Sequence, residues 1–209
     1  MAGTMSQADL VADLKASLHD SADVFGASGD ADFKRHLDVA ALDMSGPRPR
    51  TMLGTLTLTP DELQYAAPAD FISYKCDAWG ANRRAKPWDD DWPGTLPRVR
   101  VIETAPGVRG LALDPAPSAK QIGILGATYR FYYYARHVIG ASASDTTINV
   151  ADRGLLILRA QAEAMREMAV RNIKKPVQLR DGLASAPKNG TPAGLYAALL
   201  HEWRQHAAA

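Results

Sequence analysis

The chain has 209 residues, 46% of them hydrophobic and 22% charged, with a formal net charge of +1. This is the ordinary globular range, long enough for one sizeable core or a core with a large insertion, and too balanced for a dedicated, strongly basic nucleic-acid binder. The single cysteine, Cys76, excludes an internal disulfide, and no Cys/His set has structural zinc spacing. No apolar run approaches the roughly 18 residues of a membrane helix, and the N-terminus lacks the basic and apolar blocks of a signal peptide, so synthesis in a cytoplasm is expected.

Charge is unevenly spread. Residues 1–46 carry three Lys/Arg against eight Asp, and residues 151–209 carry nine Lys/Arg against five Asp/Glu. Such polarity can orient subunits in a ring or pair helices within one subunit, and the intramolecular pairing is the commoner use.

From Ser6, SQADLVADLKASL offers a serine cap and places Leu10, Val11, Leu14 and Leu18 on one face, which predicts an amphipathic helix. A second helix is predicted in SGDADFKRHLDVAALDM, where Phe33, Leu37, Ala40, Ala41 and Met44 share a face, and SGPRPR ends it. The texture then turns to strands. LGTLTLT, DFISYKCDAW, RVRVIE, VRGLALD and ATYRFYYYARHVI are separated by Pro- and Gly-bearing turns and predict a small antiparallel sheet, with Phe71, Ser73 and Lys75 alternating against Ile72, Tyr74 and Cys76. Helical period returns at Asn149. Leu155, Leu158, Ala162, Met165 and Ala169 make the longest stripe, Leu156 and Ile157 broaden it, the small Ala160, Ala162, Ala164 and Ala169 allow close approach of another helix, and Pro176 bars continuation.

LRDGLASAPKNG, Leu179 to Gly190, reads as a tether. Beyond it Thr191 can cap, and Pro192 can start, a last helix whose Leu195, Tyr196, Leu199, Leu200 and Trp203 form an apolar stripe. That stripe can fold back on the chain's own helices or dock at a distance. The predicted fold is therefore α+β: an α-helical bundle from residues 1–50 and 140–178, an inserted antiparallel β-sheet domain at 51–139, and a tether with a C-terminal docking segment at 179–209.

Chemical motifs are weak. GILGATY lacks phosphate-loop spacing, HEW at His201 lacks a second zinc-binding histidine, and no GxSxG is present. The acidic run Asp89 to Asp91 lacks the alternating ligands of a calcium loop and reads as solvated, its flanking Trp88 and Trp92 covering a sheet edge or a neighbouring subunit. His137, beside Arg136, could serve as a base, but no nucleophile is near it in sequence and a solvated strand end is the plainer reading. His19, His36 and His206 are expected to face solvent. Arg171, Lys174, Lys175 and Arg180 could meet phosphates, although cations at a helix C-terminus also complement its dipole. The expected chain is not an enzyme and uses no cofactor or metal.

The arrangement resembles the head-to-tail connector, or adaptor, proteins of tailed bacteriophages. The resemblance is carried by ADLVADLKASL, FKRHLDVAALDM, PRPRTMLGTLTLTPDELQYAAPADFISYKCDAWG, LALDPAPS, YRFYYYARHVI and ADRGLLILRAQAEAMREMA, including Tyr65 followed by the Pro68, Ala69, Asp70 step into the next strand. It spans most of residues 6 to 173 and contains no catalytic signature. It implies a helical bundle with a β-insertion, assembled with copies of itself as a ring, usually a dodecamer, under the portal protein. On that reading this structural virion protein sits in the neck, is made in the host bacterial cytoplasm, joins the capsid to the next neck or tail component, and lets double-stranded DNA pass through its lumen without sequence readout. Family adaptors commonly extend a C-terminal segment onto the portal, which favours Leu195, Tyr196, Leu199, Leu200 and Trp203 as portal-binding anchors. The alternatives are another neck or tail-completion (stopper) protein, an enzyme using Asp89 to Asp91 and His137, or a nonspecific DNA-binding module.

Overall fold

The structure, a computed structural model, describes residues 4–81, 85–171 and 191–208. Its helices are α1 (Gln7–Leu18), α2 (Ala31–Met44), α3 (Ala119–Leu125), α4 (Arg153–Arg171) and α5 (Pro192–Ala207). Its strands are β1 (Arg50–Thr57), β2 (Gln64–Ala66), β3 (Phe71–Asp77), β4 (Arg98–Ala105), β5 (Val108–Asp114) and β6 (Thr128–Ala135). The fold is α+β, and its sheets are antiparallel. Two compact units divide the chain: Met1–Arg48 with His137–Ala209, and Pro49–Arg136.

In the helical unit, Ser6 caps α1 by accepting a hydrogen bond from the Asp9 amide at 3.2 Å, and α1 buries Leu10, Val11, Leu14 and Leu18. The predicted face of α2, from Phe33 to Met44, is likewise buried. Helix α4 is the hub, in contact with α1, α2 and α5. Its burial is accordingly wider than the single predicted stripe: Leu156, Arg159, Ala160, Ala162, Glu163, Ala164 and Met165 are all buried, while Leu155 and Leu158 are only half-buried. The acidic early helices meet the arginines of α4. Asp13 pairs with Arg153, Asp43 with Arg159 at 2.6 Å, and Asp32 with Arg171 at 3.2 Å, so the charge polarity of the sequence is used within the subunit.

The strand unit holds two three-stranded sheets, ordered β1-β6-β3 and β2-β5-β4, where one sheet was expected. Periodicity missed β2, which has only three residues, and it missed α3. The signal for α3 is the capping box Ser118–Ala119–Lys120–Gln121, in which Ser118 Oγ accepts from the Gln121 amide and the Gln121 side chain accepts from the Ser118 amide. The expected alternation of β3 is also corrected. Register shifts between Phe71 and Ser73 and between Tyr74 and Cys76 bring Phe71 opposite Ala135 and Tyr74 opposite Tyr133, both toward the core.

That core is aromatic, built on Phe71, Trp79, Tyr129, Phe131 and Tyr133 with Leu111 and Leu113. Phe131 lies across from Gly54 so closely that a Cβ there would stand 2.4 Å from the ring tip, which explains a glycine in mid-strand. The step after Tyr65 forms a fixed corner. Tyr65 Oη bonds both backbone groups of Thr59, the Phe71 amide donates to Pro68 O at 3.0 Å, and Tyr133 Oη donates to Asp70 Oδ1 at 2.9 Å.

Candidate docking helix

Helix α5 starts as its sequence dictates: Thr191 Oγ1 accepts from the Gly194 amide at 3.1 Å, and Pro192 occupies the first turn. Its stripe is brought onto the chain's own core. Trp203 and Ala207 are buried in the cluster that also contains Leu10, Phe33 and Leu156, and Tyr196, Leu199 and Leu200 pack half-buried against it. Leu195, at 41% exposure, stays outside. Of the two placements the sequence leaves open, the single chain shows the fold-back onto its own helices. On α4 the fully buried Ala160 and Ala164, one turn apart, leave room for a neighbouring helix to come close.

Charged groups shape the place where Trp203 sits. The Arg159 guanidinium lies 6.0 Å from the Trp203 ring centroid, and its Nε donates to Asp43 Oδ2 at 2.7 Å. Arg159 also donates to Glu163 at 3.3 Å, and both side chains are buried. Burial pushes the Glu163 carboxyl up, but Arg166 and Arg159 outweigh it and hold the group below the usual carboxylate range. Trp203 Nε1 is buried with no hydrogen-bond partner. Stripe counting misses this cluster because it assigns Arg159 and Glu163 to solvent; their i,i+4 spacing was the available signal.

A second ionic cluster joins the end of α4 to α2. His36, expected at the surface, is 1% exposed, with its ring packed edge-on to Phe25. Its Nε2–H donates to Glu167 at 2.7 Å, and Arg35 donates to the same carboxylate at 2.6 Å. Burial raises the Glu167 carboxyl, and the hydrogen bonds from His36, Arg35 and Arg171 more than reverse this, taking it down to about 2. Helix α2 buries the imidazole because residue 36 adjoins Phe33 and Leu37 on its inner face. Arg171, a candidate phosphate contact, instead donates to Glu167, to Asp32 at 3.2 Å and to Val24 O at 2.9 Å. Lys174, Lys175, Arg180, Pro176 and the tether from Leu179 to Gly190 lie outside the described residues.

The remaining candidates are structural or solvated. His137 Nε2–H donates to Arg48 O at 2.8 Å, and Nδ1 faces Thr147 Oγ1 at 3.3 Å, so both ring nitrogens are engaged. Asp89 Oδ2 accepts from the Lys86 amide at 2.7 Å, closing a local turn, and Asp90 is exposed. In the single chain Trp88 is 77% exposed, with the Lys86 ammonium 5.3 Å from its ring centroid, while Trp92 is half-buried. Among the described residues no cluster of His, Cys, Asp and Glu is placed to hold a metal ion, and no helix is long and apolar enough to cross a membrane. Comparison of the chain with protein-family models and with curated proteins gave no match.

Proposed function

We propose that this protein is a head-to-tail adaptor of a tailed bacteriophage: an α-helical bundle carrying an inserted antiparallel β-sheet domain and a C-terminal tail helix, assembled as a ring beneath the portal. The observation that carries this reading is the interleaving of the chain. Its two ends build one helical core, the middle forms a separate strand unit, and the phrases that resemble adaptors fall on α1, α2, the Tyr65-to-Asp70 corner, β6 and α4. The work of such a ring is mechanical. It offers a platform to the next neck component and a lumen through which DNA passes.

Portal binding is assigned to α5, with Leu195, Tyr196, Leu199, Leu200 and Trp203 as anchors. In the single chain this stripe, Leu195 apart, is parked on α4, so docking is an exchange of α4 for a portal groove. Two features support an exchange. Leu195 is already exposed at the leading end of the helix, and the parked Trp203 leaves Nε1 unpaired, at a cost of about 1–3 kcal/mol that a partner acceptor could recover.

The test is capture by assembled portal rings from the same genome, comparing the full chain, a chain truncated after Asn189, and Trp203→Ala. Capture of the full chain with loss in both variants is expected. Equal capture of all three would assign α5 wholly to the chain's own core and move the portal contact elsewhere. Capture of none would overturn the adaptor position.

A further inference from the structure

The sheet β1-β6-β3 has one face in the aromatic core and one turned out. Pairing places Thr51 beside Tyr134, Leu53 beside Tyr132, Thr55 beside Arg130 and Thr57 beside Thr128 on the outward face. The Lys75 side chain joins them, its Nζ donating to Thr51 Oγ1 at 3.1 Å and lying 5.1 Å from the Tyr134 ring centroid. From β3, Ser73 pairs with Tyr134 and Cys76 with Tyr132. Among the described residues this outward face carries cations and a row of hydroxyls but no Asp or Glu. Arg130 is exposed and makes no hydrogen bond or ion pair there, and Lys75 has only a hydroxyl and a ring as partners.

We infer that this face binds the phosphate backbone of double-stranded DNA without sequence readout. Lys and Arg together with Thr, Ser and Tyr hydroxyls are the side chains that contact phosphate, and a face free of carboxylates presents no repulsion to it. Packing of a second copy face to face would call for an apolar surface, and among the residues paired on this face hydroxyls and cations outnumber the apolar Leu53 and Cys76. A stacking platform for single strands needs successive open rings. Here Tyr134 is covered by Lys75, leaving only Tyr132, 43% exposed. The choice of duplex DNA rests on the adaptor reading; the surface itself belongs to one copy and needs no ring.

Two cations imply weak binding, in the non-specific range of about 10⁻⁴ to 10⁻⁶ M, which suits a surface past which DNA slides. The test is fluorescence anisotropy of the full chain with a labelled duplex and a labelled single strand through a salt series. The Lys75→Glu, Arg130→Glu double variant should bind duplex at least ~10-fold more weakly at low salt and lower the salt slope by about 2. A control variant, Lys174→Ala, Lys175→Ala, Arg180→Ala, should keep most of the binding. The inference is overturned if the full chain binds no duplex, if the double variant binds like the parent, or if the control variant alone abolishes binding. Tighter single-strand binding that is lost in Tyr132→Ala would overturn it in favour of stacking. Portal capture measured on the double variant separates the two proposals: retained capture with an unchanged DNA affinity would sink the DNA surface and leave the adaptor standing.

Discussion

In the helical unit the buried polar side chains include Asp32, His36, Arg159 and Glu163, each tied to a charged neighbour; in the strand unit the sole buried polar side chain among the described residues is Gln121, and the core is rings. Gln121 Nε2 donates to Thr95 O at 2.8 Å. The helices therefore rely on ion pairs that fix which helix faces which, and the strands rely on close aromatic packing. Ring centroids of Phe71, Tyr133 and Phe131 succeed one another at 5.6 and 5.7 Å. Buried pairs are poor net stabilisers but strong selectors of arrangement once broken pairs are counted, whereas packed rings contribute directly through area removed from water.

The largest way to break this contrast is Phe131→Ala, expected to cost about 3–5 kcal/mol because the fully buried ring fills space that neighbours cannot close. Amide hydrogen exchange should show lost protection across Pro49–Arg136 with α1, α2 and α4 retained; loss in both units together would mean they unfold as one. Next is Arg159→Met, which removes a buried guanidinium from Asp43, Glu163 and the Trp203 ring. It should lower stability by about 1.5–3 kcal/mol in chemical denaturation and free α5 first.

pH sharpens the comparison because the two units respond at opposite ends. Glu167 has its folded pKa depressed to about 2 from 4.5, so its contribution is complete above 4.5 and is lost as pH falls toward 2. Tyr133 has its folded pKa raised to about 12 from 10, by burial and its bond to Asp70, and Tyr74 and Tyr129 are raised as well, chiefly by burial. Their contribution is complete below 10 and disappears as pH rises through the folded values. NMR at pH 3 should show the α2–α4 amides exchanging first, and at pH 11 those of β3 and β6. The smallest effect is expected at Trp88→Ala, within about 0.5 kcal/mol, since the ring touches little besides Lys86.

How much of this was legible depended on periodicity. Leu10, Leu14, Phe33 and Leu37 announced their helices because one face of each is apolar, and β6 announced itself through alternating Tyr and Phe. Helix α4 was legible in extent but not in depth, since a helix packed by three others buries charged positions that a single stripe assigns to water. The bulges of β3 could not be read, because two successive register shifts are set by the partner strand and leave no period in Phe71–Asp77. Of the α5 stripe, Trp203 is buried and Tyr196, Leu199 and Leu200 are half-buried while Leu195 is exposed, and a stripe does not name its partner.

The pairing of Arg50 with Ala135 has a different kind of consequence. The first and last strand residues of the unit are neighbours across one ladder, roughly 5 Å apart as antiparallel partners are. The chain leaves the helices and returns to them at almost the same point, where the His137 amide and imidazole are fastened to Ser45 and Arg48. Residues 49–136 thus form a cassette with a single closed stem. A short turn could replace the whole cassette, or a foreign domain with adjacent termini could be grafted in its place, while the helical core keeps its connectivity. Lineages carrying such a core could vary the surface they present by exchanging one segment, with no change to the helices that hold it.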